Sequence, residues 1–140
     1  MNAPLYTTDI LRLAASLAEP CELEREDGRA EVRSPTCGSR VTVALQLDQE
    51  GNVQRLTQDV HACAFGQASA ALMERSAVGC GHDEAVQALL ALSAWLAGES
   101  EDTGDWPGLS ALEPARSRRS RHGAIMLPFR ALLAALEFSK

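Results

Sequence analysis

The sequence predicts an α+β domain in which a three-stranded antiparallel β-meander packs against about four to five α-helices. Apolar residues alternate cleanly at Val41, Val43, Leu45 and Leu47, the mark of a strand buried on one face. The strand-like stretches on either side are joined by connections too short for crossovers, which makes the pairing antiparallel. Beyond Cys63 the apolar spacing changes to that of helices. Strands grouped before helices indicate helices gathered on one face of a single sheet.

Thr8 or Asp9 can cap a first helix carrying Ile10, Leu13, Ala14 and Leu17 on one face, and Pro20 stops it. Asp27-Gly28 is a turn signal, after which Arg29 to Ser34 reads as a short strand. The second strand, Val41 to Leu47, presents Thr42 and Gln46 to a wetter face. A loop around Gly51 returns the chain as a third strand from Val53 to Ala62.

Phe65, Ala68, Leu72 and Met73 fall at helical spacing until Gly79-Cys80-Gly81 ends that helix. Asp83 and Glu84 suit the first turn of the next, which runs through Val86, Leu89, Leu90 and Leu96 to Gly98. An acidic loop from Glu99 to Gly108, containing Trp106-Pro107, leads to a short helix over Leu109 to Leu112. His122-Gly123 opens the last helix, whose stripe is Phe129, Leu132, Leu133 and Leu136; Pro128 lies near its beginning or kinks it.

The chain has 140 residues, enough for one domain with a real core. Its formal charge of −6 argues against non-specific nucleic-acid binding, and no run approaches the roughly 20 apolar residues of a membrane span. The N-terminus lacks the basic start and apolar core of a signal peptide, so a cytoplasmic protein is expected. In that reducing setting four cysteines are free, catalytic or metal-bound rather than disulfide-paired. No hydrolase triad, phosphate loop or carboxylate pair points to a metabolic enzyme.

Two cysteines occupy matched backbone settings. Cys37 lies in Ser34-Pro35-Thr36-Cys37-Gly38-Ser39, at a bend before the central strand, and Gly38 permits a tight turn there. Cys63 stands where the third strand gives way to a helix, whose free N–H groups favour a thiolate. In a meander both emerge at the same end of the sheet. Two readings fit: a shared metal or sulfur site, or two buried small residues, as free cysteines often are.

The remaining candidates are weaker. Cys80 falls at the far end of the helix that Cys63 begins and reads as an exposed or capping residue. Cys21, after Pro20, has no fixed position. His61 reads as a surface residue or one that supports Cys63, and His82 as a solvated helix start. Arg116, Arg118, Arg119 and Arg121 form either a solvated run or a docking patch for an acidic partner.

The first helix from Tyr6 to Leu17, the Ser34–Ser39 motif, the run Cys63-Ala64-Phe65-Gly66-Gln67-Ala68-Ser69-Ala70-Ala71-Leu72-Met73, and the basic stretch leading into His122 occur in one order. In these pieces the chain resembles the NifU/IscU-like (SufU-type) iron–sulfur cluster assembly scaffold proteins, of the SufE/NifU fold superfamily. The resemblance implies one scaffold domain over residues 1–140 and a non-catalytic scaffold or carrier rather than an enzyme. It implies Cys37, Cys63 and His122 as ligands of a [2Fe–2S] cluster or an iron ion, with zinc as another occupant. It also implies a cysteine desulfurase and iron–sulfur recipient proteins as partners.

The chain departs from that pattern at two places: Gly123 stands where the family has a third cysteine, and Ser39 where it has an aspartate. These departures keep two alternatives open. One is a SufE-like sulfur acceptor carrying a persulfide on Cys37. The other is a degenerate zinc-binding interaction module.

Overall fold

The strand with the cleanest alternation is the middle of the sheet. In a computed structural model that describes residues 6–35 and 38–138, Arg40–Leu47 (β2) pairs antiparallel with Gly28–Arg33 (β1) and with Val53–His61 (β3). The order β1-β2-β3 is the expected meander. Val41, Val43 and Leu45 are fully buried against the helices, as their alternation requires.

The opposite face is drier than its polar residues suggest. Ala44 and Gln46 are buried, because the segment before β1 lies across them. The Cys21 amide donates to Thr57 Oγ1 (2.8 Å), Arg25 donates to the Leu47 carbonyl (2.7 Å), and the Leu47 amide donates to Asp27 (2.8 Å). These bonds satisfy backbone groups at the end of β2, where the register with β3 shifts between Gln46 and Leu47.

Five helices surround the sheet among the described residues: Thr8–Ala15 (α1), Ala64–Ala77 (α2), His82–Leu96 (α3), the 3₁₀ helix Leu109–Ala115, and Arg119–Glu137 (α4). The α1 cap is Thr7, one residue before the expected position: its hydroxyl accepts from the Ile10 amide. That helix ends at Ala15, well short of Pro20, because the Ser16 hydroxyl takes the Leu13 carbonyl and Arg75 of α2 holds Ser16 (2.8 Å).

α2 is the hub. Phe65, Gly66 and every residue from Ala68 to Met73 are buried. Alanines on α2 and α4 let the two helices approach closely, and the Ser69 hydroxyl donates to the Ile125 carbonyl at 2.6 Å. Pro128 sits in the body of α4, not near its beginning. The N–H it lacks leaves the Ala124 carbonyl without its helical donor, and this carbonyl lies beside the bare Cα of Gly66.

On α3, one residue of the expected apolar run lies outside the core. Leu90 is 59% exposed, while Leu92 and Trp95 fill the core. Trp106 fastens the acidic loop: its indole N–H donates to the Leu72 carbonyl (3.0 Å) and its ring meets Phe129 edge-on at 5.2 Å. Among the described residues no helix is long and apolar enough to cross a membrane.

Candidate functional site

The register of the sheet fixes where the cysteine motifs lie. Arg40 pairs with His61, so the chain entering β2 and the chain leaving β3 meet at one sheet end. Gly38 precedes Arg40 by two residues, and Cys63 follows His61 by two. Gly38 and Cys63 therefore lie at the same end of the sheet.

Cys37 itself, with Thr36, lies outside the described residues. Its flanks form a tight loop. The Ser34 amide donates to the Ser39 carbonyl (2.8 Å) and the Gly38 amide to the Ser34 carbonyl (3.2 Å). Gly38 has φ +73°, a left-handed conformation that side-chain-bearing residues resist. Ser39 is buried.

Cys63 is the N-cap of α2 and half-buried. Its carbonyl accepts the first helical bond from the Gln67 amide (2.9 Å), and its side chain makes no capping hydrogen bond. The first-turn amides of a helix have no intrahelical acceptors, so the thiol stands at a pole that favours negative charge.

The third component comes from α4. Gly66 lies against Ala124, and Ser69 is bonded to Ile125. These contacts bring the start of α4, where His122 and Gly123 lie, alongside the first turn of α2. α4 begins at Arg119, nearly a turn before His122. His122 is therefore inside the helix rather than at its opening.

The His122 ring is held by backbone. Its Nε2 lies 2.9 Å from the Arg116 carbonyl and 3.1 Å from the Ala115 carbonyl. Carbonyl oxygens only accept, so Nε2 carries the proton, and a neutral ring keeps its lone pair on Nδ1. The cradle is the turn that leaves the 3₁₀ helix; in the sequence only Pro114 hints at it. His122 also lines an open cleft of about 560 Å³ with Leu96, Glu113 and Arg119.

Among the described residues no group of three His, Cys, Asp or Glu side chains is placed to hold a metal ion. The structure thus brings Cys63 and the His122–Gly123 turn to one end of the fold, with His122 Nε2 committed to carbonyls. Gly123 offers no donor.

The other thiols lie elsewhere. Cys21, Cys63 and Cys80 are free. Cys21 is exposed on the outer sheet face. Cys80 is remote, as expected, since the Val53 amide donates to its carbonyl (2.8 Å) at the opposite sheet end. It is buried rather than exposed, at 7%, and desolvation with Glu84 nearby pushes its pKa up to about 11. Burial thus keeps Cys80 a protonated core residue.

His61 lies 3.2 Å from Asp59, both exposed. His82 sits between Asp83 (3.6 Å) and Glu137 (3.4 Å), far from Cys63.

The arginine cluster divides. Arg116 is used internally: it donates to the Trp95 carbonyl (2.7 Å), the Ser100 carbonyl (2.7 Å) and Glu101, with its guanidinium 5.2 Å from the Trp95 ring centroid. Arg118, Arg119 and Arg121 make no ion pair among the described residues. They crowd the positive pole of α4, which has no acid in its first turn.

No family model matches the sequence, and no curated protein matches it. Solved structures do. The chain is similar to a nitrogen-fixing NifU-like protein (N-terminal) from Brucella abortus, with a TM-score of 0.86 and 31% identity over 95% of this chain and 92% of that one. It shares its fold with a protein described as a SUF-system iron–sulfur cluster assembly scaffold from Fervidobacterium islandicum AW-1. That match has a TM-score of 0.84 and 20% identity over 94% and 96% of the two chains.

Proposed function

The chain belongs to the family of NifU-like N-terminal domains, and from that premise we propose that it is a non-catalytic iron–sulfur assembly protein. In this reading it is a scaffold or carrier in the cytoplasm, one domain over residues 1–140. Its cargo is a [2Fe–2S] cluster or an iron ion, with zinc able to take the same donors. Cys37, Cys63 and His122 hold the cargo.

The observation that carries this reading is the orientation of His122. Histidines that bind metals typically donate their other ring N–H to a backbone carbonyl or a carboxylate, which fixes the tautomer. His122 has that arrangement through Nε2, and Nδ1 is the nitrogen left for a ligand bond. Cys63, as the N-cap of α2 with no capping hydrogen bond from its side chain, leaves its sulfur available as the thiol donor. Two thiolates and one imidazole are fewer than the four ligands iron–sulfur clusters generally take. An incomplete shell suits cargo that is released rather than kept.

The partners of such a protein are a cysteine desulfurase and iron–sulfur recipient proteins. Arg118, Arg119 and Arg121 form the patch for an acidic partner, while Arg116 holds the neighbouring turn.

Anaerobic reconstitution with iron and sulfide tests the reading. It should produce charge-transfer absorbance and bound iron, both reduced in C37S, C63S and H122A. A colourless product, or iron content indifferent to all three substitutions, overturns it.

The left-handed bend at Gly38 supports a second reading, sulfur acceptance on Cys37. Its thiolate would attack the terminal sulfur of a desulfurase persulfide, and the donor cysteine would leave as a thiolate. Mass spectrometry should then find one added sulfur atom on Cys37 and none in C37S.

A further inference from the structure

A further concavity lies at the opposite end of α2 from Cys63. It is a groove of about 670 Å³ between the end of α2, the outer face of α3 and the loop before the 3₁₀ helix. Helix α2 has 14 residues and so separates the groove from Cys63 by about 20 Å. Neither the cargo site nor the arginine patch uses it.

The groove is apolar below and acidic above. Exposed Val78 and half-buried Ala91 supply apolar surface over a floor of buried Ala88 and Trp106, and Asp83 and Asp105 stand on the rim; among the described residues no Arg, Lys or His lines it. Val78, a β-branched residue, is 65% exposed. The Asp83 side chain is 99% exposed, with only the half-exposed His82 near it, and Asp105 has no ion pair among the described residues.

The walls are fixed in advance. Trp106 is held by its bond to Leu72 and its edge-on contact with Phe129. Gly104, at φ +84°, lays its bare Cα on α3, where a Cβ would stand 2.6 Å from the Ala91 Cβ. A pre-formed groove does not have to be ordered on binding, which lowers the cost of association.

We propose that this groove docks a basic amphipathic helix of a partner protein. The aliphatic face of that helix rests on Val78, Ala88, Ala91 and Trp106, and its cationic residues meet Asp83 and Asp105. The groove-lining residues of α3 recur over two turns, from Asp83 to Ala91, as helix-in-groove recognition requires. The acidic rim selects cationic partners and repels acidic ones.

The test uses the metal-free full chain, so that its outcome is independent of cargo binding. A synthetic 15-residue helical peptide, with arginines spaced i, i+4 on one face and leucines on the other, is titrated while amide and indole NMR shifts are followed. Shifts should concentrate at Val78, Gly104 and the Trp106 indole. Affinity should fall about tenfold, or about 1.4 kcal/mol, in the D83N/D105N double variant, whose amide spectrum should remain that of the folded chain. Any of three results overturns the proposal: no shifts at millimolar peptide, equal binding of the peptide with glutamate for arginine, or equal binding of the peptide with serine for leucine.

Discussion

Gly66 of α2 meets Ala124 of α4 with no side chain between them. A Cβ at Gly66 would stand 3.3 Å from the Ala124 carbonyl oxygen and 2.6 Å from the Ala62 Cβ. This close approach sets the start of α4, with His122 and Gly123, beside the first turn of α2, whose N-cap residue is Cys63.

Two effects of opposite sign decide what G66A does. Alanine is the better helix former by about 1 kcal/mol, whereas overpacking a fixed core contact costs about 1–3 kcal/mol. The 2.6 Å approach involves a Cβ fixed to backbone, so the steric cost wins. Denaturant unfolding should show G66A destabilised by about 1–2 kcal/mol. The double variant A62G/G66A should recover part of the loss, because the two sites are in contact.

Cys80 should be chemically silent in the native state. Alkylating reagents should modify exposed Cys21 first and leave Cys80 intact until unfolding. Its folded pKa of about 11 exceeds the ordinary 9.0. The stabilisation from burying the neutral thiol is therefore complete below pH 9 and is lost as pH rises towards 11. C80A should flatten that alkaline decline in stability and leave iron binding unchanged.

The sheet was legible because its central strand alternates and its turns carry Gly51 and Asp27-Gly28. The place of Cys63 was legible because it sits where β3 ends and α2 begins. What periodicity missed depends on contacts between distant segments. Gln46 reads as polar and exposed, yet the Arg25–Asp27 segment covers its strand. Leu90 reads as core, yet only its position around α3 decides its exposure. Arg116 reads as one of four equal cations, and nothing local reveals that Trp95 and Glu101 claim it. The carbonyl cradle of His122 has no side-chain signature at all.

Arg116 should behave as a clamp rather than as one partner of an ion pair. Its carbonyl bonds to Trp95 and Ser100 tie the end of α3 to the acidic loop, whereas the Glu101 side chain is 87% exposed. Exposed pairs contribute little. R116A should therefore lower the melting temperature several-fold more than E101Q, and R116K should not rescue it, since lysine lacks the planar fork. The hydrogen bond from Arg116 lowers the Glu101 pKa. The small contribution of that pair is thus present above the ordinary carboxylate range and disappears as pH falls through the lowered value. E101Q should remove this acid-side dependence.

Gly123 is the position at which the donor set can be completed. It follows His122 directly in the α4 segment packed against α2, and it brings no side chain to the site. A cysteine there introduces a thiolate directly beside His122. G123C should bind iron and sulfide more tightly and release them more slowly, with transfer to a chelator slowed about tenfold or more, since one added metal–thiolate bond strengthens the shell. The pair G123C/H122A separates the two residues: if Nδ1 of His122 is a ligand, the double variant should hold less iron than G123C alone. Equal iron content in both, with charge-transfer absorbance unchanged from the parent chain, would show that cargo does not bind at the start of α4.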